Sequence, residues 1–249
     1  MTARISSRAS RGYFVTGTDT GVGKTRAACA LLRALVRGGV RAVGMKPVAA
    51  GAVRDAEGLL NDDVAAICAA SAFVAPRALV NPYCFEPAIA PHIAAERAGV
   101  VIDADRIVAA FDALARTADA VVVEGVGGFC VPLGDTLDSA DLAARLGLPV
   151  VLVVGLRLGC LNHALLTAQA IRARGLTLAG WIANRIDPAM AAVSENMAAL
   201  VRRLGAPLLA EWPYSTSAQL DLSVDRLKLE IAQTGGVEEC RTNCPGNTR

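Results

Sequence analysis

Apolar residues along the chain fall into two alternating patterns. Ala120–Glu124 and Val150–Val154 are near-continuous Val/Leu runs. Such runs fit strands covered on both faces. Tyr13–Val15, Val40–Lys46, Leu178–Asn184 and Pro207–Trp212 read as further strands. Between them lie longer segments that read as helices: Thr25–Arg37, Asn61–Ala70, Asp103–Thr117, Leu161–Arg174 and Ala189–Leu204. Three of these end in Arg followed by Gly or by Leu-Gly, in "VRGG", "RARG" and "RRLG". A cation in the last turn suits the helix dipole, and glycine suits the left-handed position beyond it.

Strands separated by helices of this length predict parallel pairing with right-handed crossovers. The expected fold is a single α/β domain, with a mostly parallel sheet and helices on both faces. Its expected limits are 13–229, between tails at 1–12 and 230–249.

Composition narrows the partners. The 249 residues are 53% hydrophobic and 19% charged, which fits a globular chain. A net charge of +2 makes no electrostatic case for nucleic acid or an anionic membrane. The run from Leu146 to Leu156 is too short to span a bilayer. The compartment this implies is cytoplasmic. Of seven scattered cysteines, five read as buried small hydrophobes and two, Cys240 and Cys244, as thiols in a polar tail, rather than a disulfide framework.

Parallel sheets bind ligands beyond the C-terminal ends of their strands. After the first predicted strand comes "GTDTGVGKT", Gly17 to Thr25. It ends like a phosphate-binding P-loop, but its first glycine stands one residue earlier than in the usual pattern. Glycines let backbone N–H groups curl around phosphate oxygens, and the following helix adds its positive end. Lys24 is placed to reach the β/γ-phosphates and Thr25 to ligate Mg²⁺. Mg²⁺ needs carboxylates too. Glu124 follows four apolar residues and precedes "GVGG". Asp62 and Asp63 open a predicted helix, and spacing alone leaves open which of them is the ligand. Lys46, at the end of the second strand, reads either as a solvated lysine or as a holder of a second anionic group. His92 and His163 read as helix-start packing or hydrogen-bonding groups.

"YFVTGTDTGVGKT", "GMKPVAAG", "VVVEGVGGFCVPL", "LVVGLRLGCLNHALLT" and "LAGWIAN" together resemble the dethiobiotin synthetase family, in the family's order from about Tyr13 to Ser215. The longer loop is the form this family uses. The resemblance implies a ligase that converts 7,8-diaminononanoate, CO₂ and MgATP to dethiobiotin, ADP and phosphate. The route runs through an N-carbamate and a carbamic–phosphoric anhydride. It further implies that Thr20, Gly21, Val22, Gly23, Lys24 and Thr25 wrap the phosphates and carbamate. Thr25, Asp63 and Glu124 would surround Mg²⁺, with "GLLNDD" selecting Asp63. Lys46 would neutralise the carbamate and the transferring phosphoryl group, making Lys46, Thr20 and Lys24 the expected catalytic set. Gly125, Val126, Gly127 and Gly128 would offer close backbone. Asn184, Arg185, Pro213, Tyr214 and Ser215 would hold the adenine. The family is dimeric, and Gly159, Cys160, Leu161 and Asn162 would bind the substrate's distant carboxylate across the interface. Ala50, where many relatives have Ser or Thr, would remove one hydrogen bond to substrate. Val126 replaces a commoner Ala.

Two other readings share the fold. Partitioning and cell-division switch ATPases carry a lysine where Asp19 stands. Cobyrinic-acid-type amidases add a domain for which this chain is too short.

Overall fold

The computed structural model describes residues 12–56 and 58–215. In chain order the elements are β1 (Gly12–Gly17), α1 (Lys24–Arg37), β2 (Ala42–Met45), β3 (Val48–Ala50), β4 (Val53–Asp55), β5 (Gly58–Leu60), α2 (Asp62–Ala70), α3 (Arg77–Val80), β6 (Tyr83–Phe85), α4 (Pro91–Arg97), α5 (Ala104–Ala115), β7 (Ala120–Glu124), α6 (Ser139–Leu146), β8 (Val150–Leu156), α7 (Cys160–Ala173), β9 (Leu178–Arg185), α8 (Val193–Leu204) and β10 (Leu208–Trp212).

Six strands form one sheet in the order β10-β9-β8-β1-β7-β2. Every pairing in it is parallel, as the alternation predicts. The chain leaves β1 toward the β2 edge and leaves β8 toward the β10 edge. The order therefore reverses beside β1, where ligand crevices form in such sheets. The expected tail boundaries, Cys240 and Cys244 lie outside the described residues, save that β1 already begins at Gly12.

Alternation along each strand splits the core in two. Val121 and Val123 pack into one cluster with α5, α6, α7 and α8. Val122 packs into the other, with α1 and α2. Both clusters are almost wholly buried, which explains the unbroken Val/Leu runs.

Most element boundaries fall within two residues of the pattern. Helix α8 starts at Val193 rather than Ala189, after Ala192 in the left-handed region at φ 51°. Helix α6 is not predicted by periodicity. Asp138 and Asp141 form a reciprocal capping box at its start, and Gly147 closes it at φ 64°. The short pairs β3–β6 and β4–β5 also escape the pattern, since three residues show no period.

Candidate active site

Strand β1 runs into the loop at Gly17. A Cβ there would lie 2.6 Å from the Val22 side chain, so this glycine is a packing requirement. The additional residue is absorbed by the sheet. Thr18 N–H donates to the Val153 carbonyl at 3.0 Å, continuing the β1–β8 pairing. The loop turns through Gly21 (φ 74°) and Gly23 (φ 96°), both in the left-handed region. Gly23 caps α1 without a side chain, which leaves that helix's first N–H groups facing the loop's hollow. Val22 is buried and packs beneath the loop, so only its backbone faces the hollow.

Asn184, at the end of β9, braces this loop from behind. Its Nδ2 donates to the Val22 carbonyl at 2.9 Å. Asp19 braces the mouth: its Oδ1 accepts from Thr20 N–H at 2.7 Å, and its other oxygen pairs with Arg157 beyond β8. Lys24 Nζ donates to the Asp19 carbonyl at 3.0 Å. Burial pulls the Lys24 ammonium below the ordinary lysine value, with Glu124 opposing.

Three separate elements supply the charged centre. Lys46 follows β2, Asp63 lies in the first turn of α2, and Glu124 ends β7. Lys46 Nζ lies 2.6 Å from Glu124 Oε1 and 2.7 Å from Asp63 Oδ2. Thr25 Oγ1 donates to Glu124 Oε1 at 2.9 Å. The Lys46 backbone is pinned on both sides. Its N–H donates to the Val80 carbonyl at 2.8 Å, and its carbonyl accepts from Asn81 Nδ2 at 2.6 Å.

Burial alone would lower the Lys46 ammonium, but Glu124 and Asp63 outweigh it and hold it above the ordinary value. Asp63 shows the converse. Burial would raise it, and the charge and hydrogen bond of Lys46 bring it below the usual carboxylate range. Burial raises Glu124 despite Lys46. Glu124 is 1% exposed, and its Oε2 has no hydrogen-bond partner.

These groups floor a cavity of about 750 Å³. It brings together Thr20, Gly21, Gly23, Lys24, Thr25, Lys46, Ala50, Asp63, Glu124, Val126, Gly127 and Gly128. Ala88, Ile89, Ala90, Pro91 and Val131 complete the wall. Gly127 turns at φ 62°, and a Cβ there would meet Val131 at 3.0 Å. Gly125 packs against Phe14 behind the cavity.

Other expected residues stand apart from this cavity. Asn184 pairs in register with Trp212, which places Arg185, the last residue of β9, at the same sheet end as Pro213, Tyr214 and Ser215, which follow β10. Arg185 lies 3.5 Å from Glu211. Gly159 to Asn162 start α7, where Gly159 caps the helix at φ 94° without a side chain. Gly159 and Asn162 are exposed, whereas the Cys160 side chain is buried in the core. His92 and His163 sit in the first turns of α4 and α7, and His163 is exposed.

Three residues of the site go beyond the motif reading: Asp19 as a brace, Asn81 behind Lys46, and Asn61. Asn61 Oδ1 caps α2 by accepting from Asp63 N–H at 3.1 Å. An Asn directly before Asp-Asp is a readable cap signal. Its second contact, with the Ala50 and Gly51 carbonyls, is not readable.

The comparisons with known proteins decide the family. A family model described as an AAA domain matches residues 11–219. The ATP-dependent dethiobiotin synthetase BioD of Aromatoleum aromaticum is 61% identical over 208 residues, covering 84% of this chain and 92% of that protein. The chain belongs to the dethiobiotin synthetase family. The protein of the same name from Nitrosospira multiformis is 55% identical over 226 residues, covering 90% and 97%. A ParA family ATPase from Chlorobium tepidum shares the fold at TM-score 0.51 and 14% identity, covering 92% of this chain and 94% of that one. Curated family relatives thus favour a dethiobiotin synthetase over a switch ATPase of the same architecture. Among the described residues, no helix is long and apolar enough to cross a membrane.

Proposed function

We propose that this cavity closes the ureido ring of dethiobiotin, using 7,8-diaminononanoate, CO₂ and ATP. The observation that carries the proposal is the buried ammonium of Lys46, held between two carboxylates beside a P-loop. One amine of the substrate adds to CO₂ and loses a proton, giving a carbamate. A carbamate oxygen attacks the γ-phosphorus of ATP, and ADP leaves. The second amine then attacks the carbamoyl carbon and loses a proton, and phosphate leaves as the ring closes. Such chemistry asks mainly for positioning and for neutralised charge.

The loop Thr20–Thr25 and the start of α1 supply N–H donors for the phosphates. Lys24 exchanges the Asp19 carbonyl for β/γ-phosphate oxygens. Lys46 faces the anionic carbamate and the transferring phosphoryl group. Thr25, Asp63 and Glu124 fit Mg²⁺: all three offer hard oxygen, and Glu124 Oε2 is buried without a partner. Mg²⁺ would neutralise charge on the β/γ-phosphates. Asn184, Arg185, Pro213, Tyr214 and Ser215 form the adenine side, with Asn184 also bracing the loop. Gly125, Val126 and Gly127 allow close backbone approach. The exposed N-terminus of α7, Gly159 to Asn162, suits the far carboxylate of a substrate lying in a second copy of the chain.

The test combines purified protein with MgATP, ¹³C-bicarbonate and diaminononanoate. The expected product is ¹³C-labelled dethiobiotin, with one ADP per ring closed. ATP turnover at the same rate without diaminononanoate would favour the switch-ATPase reading.

A further inference from the structure

Asn61 is 7% exposed, and its side chain works at both ends. The acceptor Oδ1 caps α2 at the Asp63 N–H. The donor Nδ2 reaches the other way, to the carbonyls of Ala50 and Gly51, each at 3.1 Å. Gly51 sits at φ 80°, and this left-handed turn brings the two successive carbonyls onto one amide. Both donor hydrogens and the acceptor of Asn61 are thus in use.

The two ends belong to different parts of the site. Asp63 pairs with Lys46. Ala50 lines the cavity, as does Ala88, and neither belongs to the P-loop. A Cβ on Gly51 would lie 3.1 Å from the Ala88 Cβ, so Gly51 and the Ala88 wall are in close packing. On its far side the strip is tied to the β6 exit. Gly51 N–H donates to the Pro87 carbonyl at 3.2 Å, and Ala52 N–H to the Phe85 carbonyl at 3.1 Å. Asn61 is the tie between this strip and the start of α2.

We propose that Asn61 is a positioning residue that sets the spacing between the Asp63 carboxylate and the Ala50–Ala88 wall, and thereby the grip on diaminononanoate but not on nucleotide. This rests on the ring-closing reading of the cavity. Nucleotide is held by the P-loop and the β9–β10 exits, which Asn61 does not touch; its one contact with the Mg²⁺ set is the cap on the Asp63 N–H, which both test variants keep. On that reading the diamine must fit between the charged centre and the Ala50–Ala88 wall of the same cavity.

The test separates the two ends of one side chain. Asp caps helices as well as Asn does, so Asn61→Asp keeps the α2 cap. It also replaces the amide donors with an acceptor facing two carbonyls. A buried carbonyl left unpaired is costly, so KM for diaminononanoate should rise about tenfold or more. The dissociation constant of MgADP by calorimetry should stay within about twofold. Amide exchange at residues 50–53 should speed up by a similar factor. Asn61→Ser keeps a capping oxygen but cannot reach the carbonyls, and it should show the same split. An unchanged KM in a folded variant overturns the proposal. So does an equal loss of diamine and ADP binding, which marks Asn61 as a helix cap only. The exchange measurement needs no substrate. If the wild type makes no dethiobiotin, the ring-closing reading fails, while unaltered exchange at residues 50–53 in both variants overturns the Asn61 tie separately.

Discussion

Lys46 Nζ lies 2.6 Å from Glu124 Oε1, and both side chains are almost sealed from solvent. Removing one partner of a buried ion pair leaves an uncompensated charge, at a cost of about 3–5 kcal/mol. Lys46→Met should show this loss in urea unfolding with EDTA present. The pH sign follows from the carboxylates. The raised Lys46 value adds stability that is fully present below an unfolded pKa of about 10.4, so it is constant from pH 5 to 8. Glu124 is raised already, and losing Lys46 raises it further. A carboxyl raised in the folded state costs stability above its folded pKa, and that cost vanishes toward its unfolded pKa of about 4.3. Asp63 adds no difference between these two pH values, because the stability from its lowered value is fully present above its unfolded pKa of about 3.9. The penalty of Lys46→Met should therefore be larger at pH 8 than at pH 5. An equal penalty at both would mean that Glu124 is not charged in the wild type.

The same lysine has a kinetic signature. On the proposed reading, Lys24 would meet ATP phosphates in ground and transition states alike, whereas Lys46 would meet the charge gathered between carbamate and γ-phosphoryl group. Interactions made mainly in the transition state lower kcat when lost. Lys46→Gln should bind ATP with near-normal affinity and turn over at least ~100-fold more slowly. Loss of ATP binding with kcat kept at saturating ATP would make Lys46 a nucleotide anchor instead.

Thr25→Val keeps the volume but removes the hydroxyl that meets Glu124 at 2.9 Å. Mg²⁺-dependent turnover should fall by at least ~100-fold. The melting temperature should stay within a few degrees, because Thr25 is only partly buried. Normal turnover in limiting Mg²⁺ would remove Thr25 from the metal site.

The sheet was legible because its buried strands carry unbroken apolar runs. Ala120–Glu124 is read to the residue, since Glu124 is the first charge after four core side chains. Strand order was not legible, because β2 lies beyond β7 although it precedes it in sequence. The P-loop and its neighbours were legible as motifs, each placed by the rule that sites follow strand ends. The Lys46–Asp63–Glu124 contact was not. It joins residues 17 and 78 positions apart and depends on the register of β2 against β7. The Asn61 tie was invisible for a local reason: it needs Gly51 in a left-handed conformation, which a glycine permits but does not announce. Val22 and Cys160 show a further limit of motif reading, which does not say whether side chain or backbone faces the site. They belong to site motifs, yet their side chains are spent on the core.

A shared site should show itself by complementation. Lys46 lies inside the cavity, whereas Asn162 is exposed on the first turn of α7 and does not line it. If that turn serves a second copy, Lys46→Gln and Asn162→Glu damage opposite halves of one composite site. Glu at Asn162 suits a helix N-terminus, so the fold should survive, but it repels a substrate carboxylate. Each variant alone should form dethiobiotin slowly. A heterodimer of the two holds one site with both defects and one with neither. Half of the dimers in a randomly exchanged equimolar mixture are heterodimers, so activity should recover to about a quarter of wild type. Native mass spectrometry of isotope-labelled subunits verifies the exchange, and steady-state dethiobiotin formation reads the recovery. If subunits exchange fully and activity stays at the level of the parents, each site lies within one chain, and the α7 N-terminus does not hold a neighbour's substrate.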